Sequence, residues 1–98
     1  MSLIIKQFYC EHNFPKPIIE QKIQLFEKHQ DIASEFEGWI VNGSYKEEGA
    51  VTVEGYTAKK LAETSCYLNG DGAFAFLIEL RENPVRAKIQ LEKGLKKM

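Results

Sequence analysis

The most regular pattern in the chain is a stripe of apolar residues at helical spacing. Ile19, Ile23 and Phe26 follow the i, i+4, i+7 rule, so they lie on one face of a helix. Pro17 suits the first turn of that helix, because proline has no backbone N–H that would be left unpaired there. The pattern therefore predicts a helix over about residues 17–29.

A second apolar stripe follows after a short break. Asp31 is a suitable N-cap for it, since its carboxylate can accept hydrogen bonds from the free N–H groups of a first turn. Asn42 and Gly43 end the pattern, because glycine tolerates the left-handed conformation that is common just past a helix end. The short break favours an antiparallel hairpin of the two helices. The stripe consists of Ile32, Phe36, Trp39 and Ile40.

The rest of the chain predicts shorter elements. Residues 3–9 fit a short helix better than a strand, and the prolines that follow end it. Val51 and Val53 alternate with polar residues, which predicts one short extended segment over 50–54. Such a segment needs a partner elsewhere in the chain or in a second subunit. Three more helices are predicted over about 58–65, 71–82 and 84–94.

Polar residues and a proline mark the starts of these last three helices. Thr57 is expected to cap the first, the second starts near Asp71, and Asn83 with Pro84 opens the third. The sequence thus predicts a mainly α protein with five or six helices and one short extended segment. At 98 residues it is expected to form a single domain over 1–98.

The stretch from 55 to 80 resembles a helix-turn-helix unit. Thr57, Leu61 and Ala62 match the T-x-x-x-L-A pattern of the first helix in that family. The resemblance implies two packed helices joined by a turn, and it implies DNA binding through the second. The residues that match the turn and the packing positions are Leu68, Asn69, Ala73, Phe76, Leu77 and Leu80.

The second helix of this unit lacks the residues that read DNA. Arg, Lys, Asn or Gln near its start would contact base edges in the major groove. Phe74 can offer only an apolar contact to a thymine methyl group, and Lys59 and Lys60 on the preceding helix would contact phosphates. The positions that would face the groove hold Gly70, Asp71, Gly72, Phe74 and Ala75.

Packing is the alternative role for that helix. The stretch AFAFLIEL is apolar almost all the way round, and such helices are usually buried. A chain this short has little core of its own, so a second copy is expected to cover part of the helix. Phe74 and Ile78 are the residues predicted for that self-association.

The net charge of −1 hides a basic C-terminus. From Arg81 onward, six Lys or Arg stand against two Asp or Glu. Arg86, Lys93 and Lys97 fall on one face of the last helix and predict a contact with an acidic partner, for instance residues 31–48 of a second copy. The plainer interpretation is a solvated face that complements the helix dipole.

Candidate chemistry narrows the function further. Cys10, His12, His29 and Cys66 would give four zinc ligands, but their spacing contains no paired knuckle such as C-x-x-C. A calcium loop aligned on 67–78 lacks its first and last carboxylate ligands. Phosphate-binding and protease motifs are missing. We therefore expect no metal, no cofactor and no enzymatic activity.

The expected protein is small, soluble and cytoplasmic. Its two cysteines form no disulfide framework, no apolar run approaches the roughly 18 residues of a membrane span, and the stretch MSLIIKQFYCEH lacks the features of a secretory signal. The preferred hypothesis is a protein–protein interaction module, with a homodimer expected. The alternative is a helix-turn-helix DNA-binding regulator that uses basic residues on the 58–65 and 84–97 helices.

Overall fold

The computed structural model describes residues 3–43, 51–64 and 71–96. Within these ranges the chain is mainly helical, with six α-helices and no β-strand, which confirms the predicted fold class. Contacts divide the chain into two units, Met1–Lys46 and Glu47–Met98. None of the helices in the described ranges combines the length and the apolar character that a membrane span requires. That residues 1–98 form one domain remains a prediction.

The first unit contains three helices, each of which contacts the other two. They are α1 (Leu3–Glu11), α2 (Lys16–Lys28) and α3 (Gln30–Asn42). The helical interpretation of residues 3–9 and the helix over 17–29 are both confirmed, and the apolar stripe of α2 becomes its buried face. The buried apolar residues of this unit are Ile5, Tyr9, Ile19, Ile23, Phe26, Ile32, Ala33 and Phe36.

Phe36 stands at the centre of an aromatic cluster in this unit. Its side chain is fully buried. Its ring centroid lies 5.3 Å from that of Phe8, 5.2 Å from that of Phe26 and 6.3 Å from that of Trp39. Such edge-to-face and offset pairs stabilise a core beyond the area they bury. The cluster therefore ties all three helices together.

The start of α3 differs from the prediction. Asp31 lies inside the first turn and does not cap the helix, which begins at Gln30. His29 alone separates α2 from α3, and its carbonyl accepts a 2.9 Å hydrogen bond from the N–H of Ala33. The Gln30 side chain also donates to the Glu27 carbonyl at 2.9 Å. Because the chain bends within one residue, α3 starts before the aspartate is reached.

The second unit is built on α5 (Gly72–Glu82), which contacts both α4 (Ala58–Thr64) and α6 (Pro84–Lys96). The apolar helix predicted from AFAFLIEL is therefore a core helix. Six of its eleven residues are buried, and at 100° per residue they span an arc of about 200°, more than half of the helix surface. These six are Ala73, Phe74, Phe76, Leu77, Ile78 and Leu80.

Within the short extended segment, Val53 pairs with Tyr56, three residues further along the chain. Val53 and Tyr56 each donate their N–H to the other's carbonyl at 2.9 Å. Glu54 and Gly55 between them have φ values of 52° and 80°. Positive φ at both central residues defines a type I′ turn. Before and within this turn, the buried Val51 and Val53 alternate with the exposed Thr52 and Glu54.

The predicted start of α4 is confirmed in detail. The Thr57 Oγ1 atom accepts a 3.1 Å hydrogen bond from the backbone N–H of Lys60. This satisfies one of the donors that the first turn of a helix leaves unpaired. At the start of α6, the Asn83 carbonyl accepts from the N–H of Ala87 at 3.0 Å, and Pro84 occupies the first helical position.

Substitution of glycine by alanine is expected to change the stability of the fold in opposite directions at two positions. A Cβ at Gly55 or at Gly38 would meet no atom within 4 Å, so only the backbone conformation decides the effect. Gly55→Ala is expected to destabilise the fold by about 1–2 kcal/mol, because its φ of 80° strains any L side chain. Gly38→Ala, inside α3, is expected to stabilise it by about 0.5–1 kcal/mol. Urea denaturation of both variants measures the two signs, and equal shifts would contradict this account.

Candidate functional site

The basic residues predicted to contact a partner are not equally available. Lys60 is exposed, but its Nζ lies 5.3 Å from the centroid of the Tyr56 ring, in a cation–π contact. Lys59 is half-buried. Lys97 lies outside the described residues. Arg86 and Lys93 are both exposed and make no ion pair among the residues that the structure describes.

Neither residue predicted for self-association is presented on the surface. The exposed fraction is 0% for Phe74 and 1% for Ile78. A second copy therefore has no access to either side chain in the folded chain, and this part of the prediction is corrected. The physical reason is that α4 and α6 both pack against α5. Self-association itself stays a prediction.

The burial of Phe74 also bears on the helix-turn-helix resemblance. The framework positions Leu61 and Leu77 are fully buried, as a packed helix pair requires. The turn residues Leu68 and Asn69 lie outside the described residues. Phe74 was the one side chain near the start of α5 able to touch a base, and its burial removes that contact.

The outward side of α6 carries a feature that the sequence analysis missed. Val85 and Ile89 are 73% and 49% exposed, although both are apolar. At 100° per residue they share an arc of about 100° with Arg86 and Lys93. We call these four residues the α6 outer face. Their signal in the sequence was an apolar pair four residues apart, lying off the buried stripe of α6.

An ion pair joins α6 to the tight turn of the second unit. The Lys88 Nζ lies 2.8 Å from a Glu54 carboxylate oxygen, and both side chains are partly exposed. The hydrogen bond to Glu54 and its negative charge raise the pKa of Lys88 above the ordinary value of 10.5.

Because the pKa of Lys88 is raised in the folded chain, its interaction with Glu54 stabilises the fold in a way that depends on pH. The contribution is fully present below 10.5, and it is lost as the pH rises through the higher pKa of the folded state. Glu54→Gln is expected to lower the pKa of Lys88 and to remove this loss of stability at alkaline pH. NMR titration of the Lys88 side chain measures the shift. A pKa that does not change would contradict the role of Glu54.

An open groove lies between α1 and α2, and no sequence pattern indicated it. Its volume is about 760 Å³, within the range of common binding sites in proteins. Its apolar lining includes Phe14, Ile19 and Ile23. Charged residues and a free thiol line the rest, namely Lys6, Cys10, Lys16, Glu20 and Glu27.

A smaller pocket of about 160 Å³ adjoins this groove. The two concavities share Ile23 and Glu27. The pocket is lined by residues of all three helices of the first unit, including Phe26, with Gln30 and Glu37 as polar lining. We call the combined surface the α1–α3 groove. This groove has an apolar lining and a charged rim, and carboxylates lie at one end of the rim.

The residues considered as metal ligands are distributed over the chain. Among the described residues, no three His, Cys, Asp or Glu side chains are grouped so that they could hold a metal ion. The His12 Nδ1 lies 2.8 Å from the Phe8 carbonyl oxygen, within hydrogen-bond distance. His29 is half-buried between α2 and α3. Cys66 falls outside the described residues, so the proposed fourfold ligand set is not assembled among them.

Comparison of the chain with protein-family models, curated proteins and solved structures finds no match to any of them. The function therefore has to be inferred from the α1–α3 groove and the α6 outer face.

Proposed function

We propose that this chain is a protein-binding module whose α1–α3 groove receives an amphipathic helix of a partner protein. The observation that carries the proposal is the groove itself, with its apolar lining and charged rim. Helix-in-groove recognition needs this combination: apolar anchors on one face of the helix enter the lining, and polar groups at the rim fix its orientation.

The length of the groove suits a helix of about three turns. The lining residues of α2 run from Lys16 to Glu27, and eleven steps of 1.5 Å span about 16 Å. A helix of that length places two or three apolar side chains, spaced i, i+4 and i+7, along the apolar lining. The partner segment is therefore expected to be short.

The charges on the rim favour a basic helix at one end. Glu27 near the end of α2 and Glu37 on α3 both line the smaller pocket. Neither carboxylate makes an ion pair among the residues that the structure describes. Lysine or arginine side chains of the partner would complement them, which raises specificity and the rate of association.

A titration with a synthetic peptide tests this function. The probe is a basic amphipathic peptide of about 15 residues, with leucines at i, i+4 and i+7, long enough for the groove. Heteronuclear NMR is expected to show shifts at Ile19, Ile23 and their neighbours. E27K/E37K is expected to weaken binding roughly fivefold or more, because two attractive contacts become repulsive.

The control for this titration is E11K/E63K, which changes the charge by the same amount. Both glutamates are exposed, and neither lines the groove. The control is expected to bind the peptide as the wild-type chain does. Shifts confined to residues outside the groove, or the same weakening in both variants, would contradict the proposed function.

The exposed Arg86 and Lys93 favour a second candidate, a DNA-binding regulator. It predicts binding to duplex DNA that weakens steeply as salt increases, because each phosphate contact releases counterions. R86E/K93E should abolish that binding. Electrophoretic mobility shift at about 50 mM salt, where phosphate contacts are strong, is the measurement. No shifted complex at that salt would end this alternative.

A further inference from the structure

We propose that the helix received by the α1–α3 groove is α6 of a second copy of this chain. The inference rests on the proposed function of the groove and names its partner. The segment that enters is the α6 outer face, Val85, Arg86, Ile89 and Lys93.

The apolar residues of the two surfaces match. Val85 and Ile89 are 73% and 49% exposed in the single chain and lie four residues apart. This is the spacing at which an amphipathic helix presents successive anchors. Ile19 and Ile23 have the same spacing on α2 and line the groove with the exposed part of their side chains, 6% and 8%. Docking would cover large apolar side chains that the chain otherwise leaves in water.

The charges of the α6 outer face are opposite to those at the acidic end of the groove, while Lys6 and Lys16 line another part of the groove. Arg86 and Lys93 carry positive charges without an ion pair among the described residues. Glu27 and Glu37 carry negative charges, and they too make no ion pair among the described residues. When this basic helix binds along the acidic end of the groove, its two cations therefore pair with the two carboxylates. This complementarity selects α6 among the described helices, because no other one combines exposed apolar anchors four residues apart with two unpaired cations on the same face.

α6 can present this face without leaving its own unit. Ala87 and Leu91 lie on the opposite side of the helix and are buried, with exposed fractions of 0% and 2%. They hold α6 against α5, with which it is in contact. Docking therefore needs no unfolding and no exchange of helices. It joins two surfaces that are already formed in each copy.

The contact uses two different surfaces, one from each copy. Two copies that exchange both contacts form a closed dimer with a two-fold axis. Each copy then fills one groove and contributes one α6. Weakening either surface breaks both contacts of a homodimer, because each copy carries the same change.

Sedimentation equilibrium of the full chain tests the inference by charge reversal. The wild-type chain is expected to associate, while E27K/E37K and R86E/K93E are each expected to be monomeric. An equimolar mixture of the two variants is expected to regain the wild-type mass. In the mixed pair, one contact joins the reversed groove to the reversed helix, and the other joins the native groove to the native helix.

Two further variants keep the test decisive. E11K/E63K, which changes the charge elsewhere, is expected to associate as the wild-type chain does. V85S/I89S alters only exposed side chains of α6 and keeps every charge, so it is expected to fold and to be monomeric. A circular dichroism spectrum for each variant checks folding.

Three results would overturn the inference: a strictly monomeric wild-type chain, association that survives both charge reversals, or a mixture that stays monomeric. The proposed function can fail separately. If the synthetic peptide binds the groove while the wild-type chain is monomeric, the groove is a binding site and its partner is another protein. If the peptide does not bind the groove, the proposed function itself is wrong.

Discussion

Phe36→Ala is expected to lower the free energy of unfolding by about 3–5 kcal/mol. The ring of Phe36 is fully buried and contacts aromatic residues from all three helices of the first unit. Its removal leaves a cavity that the rigid rings around it cannot refill. Since small domains are stable by only about 5–15 kcal/mol, this loss would remove much of the stability.

The fluorescence of Trp39 can be used to measure the stability that Phe36→Ala is expected to lose. It is the one tryptophan of the chain, and its ring centroid lies 6.3 Å from that of Phe36. Urea denaturation followed by tryptophan fluorescence therefore measures the unfolding of the first unit. Phe36→Leu, which keeps most of the volume, serves as the control and should cost clearly less. A loss below about 1 kcal/mol for the alanine variant would place Phe36 outside the core.

Phe74→Ala is expected to destabilise the second unit by about 3–5 kcal/mol. Phe74 is fully buried on α5, so its removal opens a cavity in the core of this unit. Val85→Ala is the matched control, because Val85 is 73% exposed, and exposed substitutions usually stay within about 0.5 kcal/mol. Thermal unfolding followed by circular dichroism measures both variants.

The same pair of variants separates a core residue from an interface residue. Phe74→Ala should leave self-association unchanged wherever the chain is still folded, since a second copy cannot reach the side chain. Val85→Ala should weaken self-association while leaving stability nearly unchanged. The reverse outcome, a stable Phe74 variant that no longer associates, would restore the sequence-based prediction of an interface on α5.

The helices of the first unit could be predicted from the sequence because their apolar stripes are long and regular. The stripe of Ile19, Ile23 and Phe26 predicted α2 to within one residue at either end. The start of α3 could not be predicted in the same way. It depends on a bend at His29 that brings two helices into direct succession, whereas Asp31 satisfied only a local preference for capping.

For α5 the sequence predicted an apolar surface that is buried, but it did not predict which part of the protein covers that surface. A helix that is apolar almost all the way round is usually buried, and the composition of AFAFLIEL is the same whether its own chain or a second copy covers it. The structure shows that α4 and α6 of the same chain both contact this helix. The turn at Glu54 escaped prediction because Glu-Gly is a rarer sequence for a type I′ turn than Asn-Gly.

The α1–α3 groove could not be predicted from the sequence because it belongs to no single helix. Its lining takes Lys6 and Cys10 from one helix, Ile19 and Ile23 from the next, and Glu37 from the third. Each helix taken separately shows an ordinary surface. The concave shape arises from the way the three helices pack, which local periodicity does not contain.

Alkylation of Cys10 tests the central claim, that the α1–α3 groove holds a helix, most directly. Cys10 lines the groove as an exposed, free thiol. Cys66→Ser leaves it the single cysteine of the chain. A helix seated in the groove would shield the sulfur, so the rate of reaction with iodoacetamide reports occupancy at the site itself.

The measurement compares this rate with and without a saturating amount of the synthetic basic amphipathic peptide, in the V85S/I89S variant, whose own α6 is not expected to occupy the groove. The account predicts a several-fold slower reaction at Cys10 in the presence of the peptide. We also expect clearly weaker protection when E27K/E37K is added, at the same peptide concentration. An unchanged rate at a peptide concentration at which binding is measured by another method would contradict the claim that the helix lies in the groove.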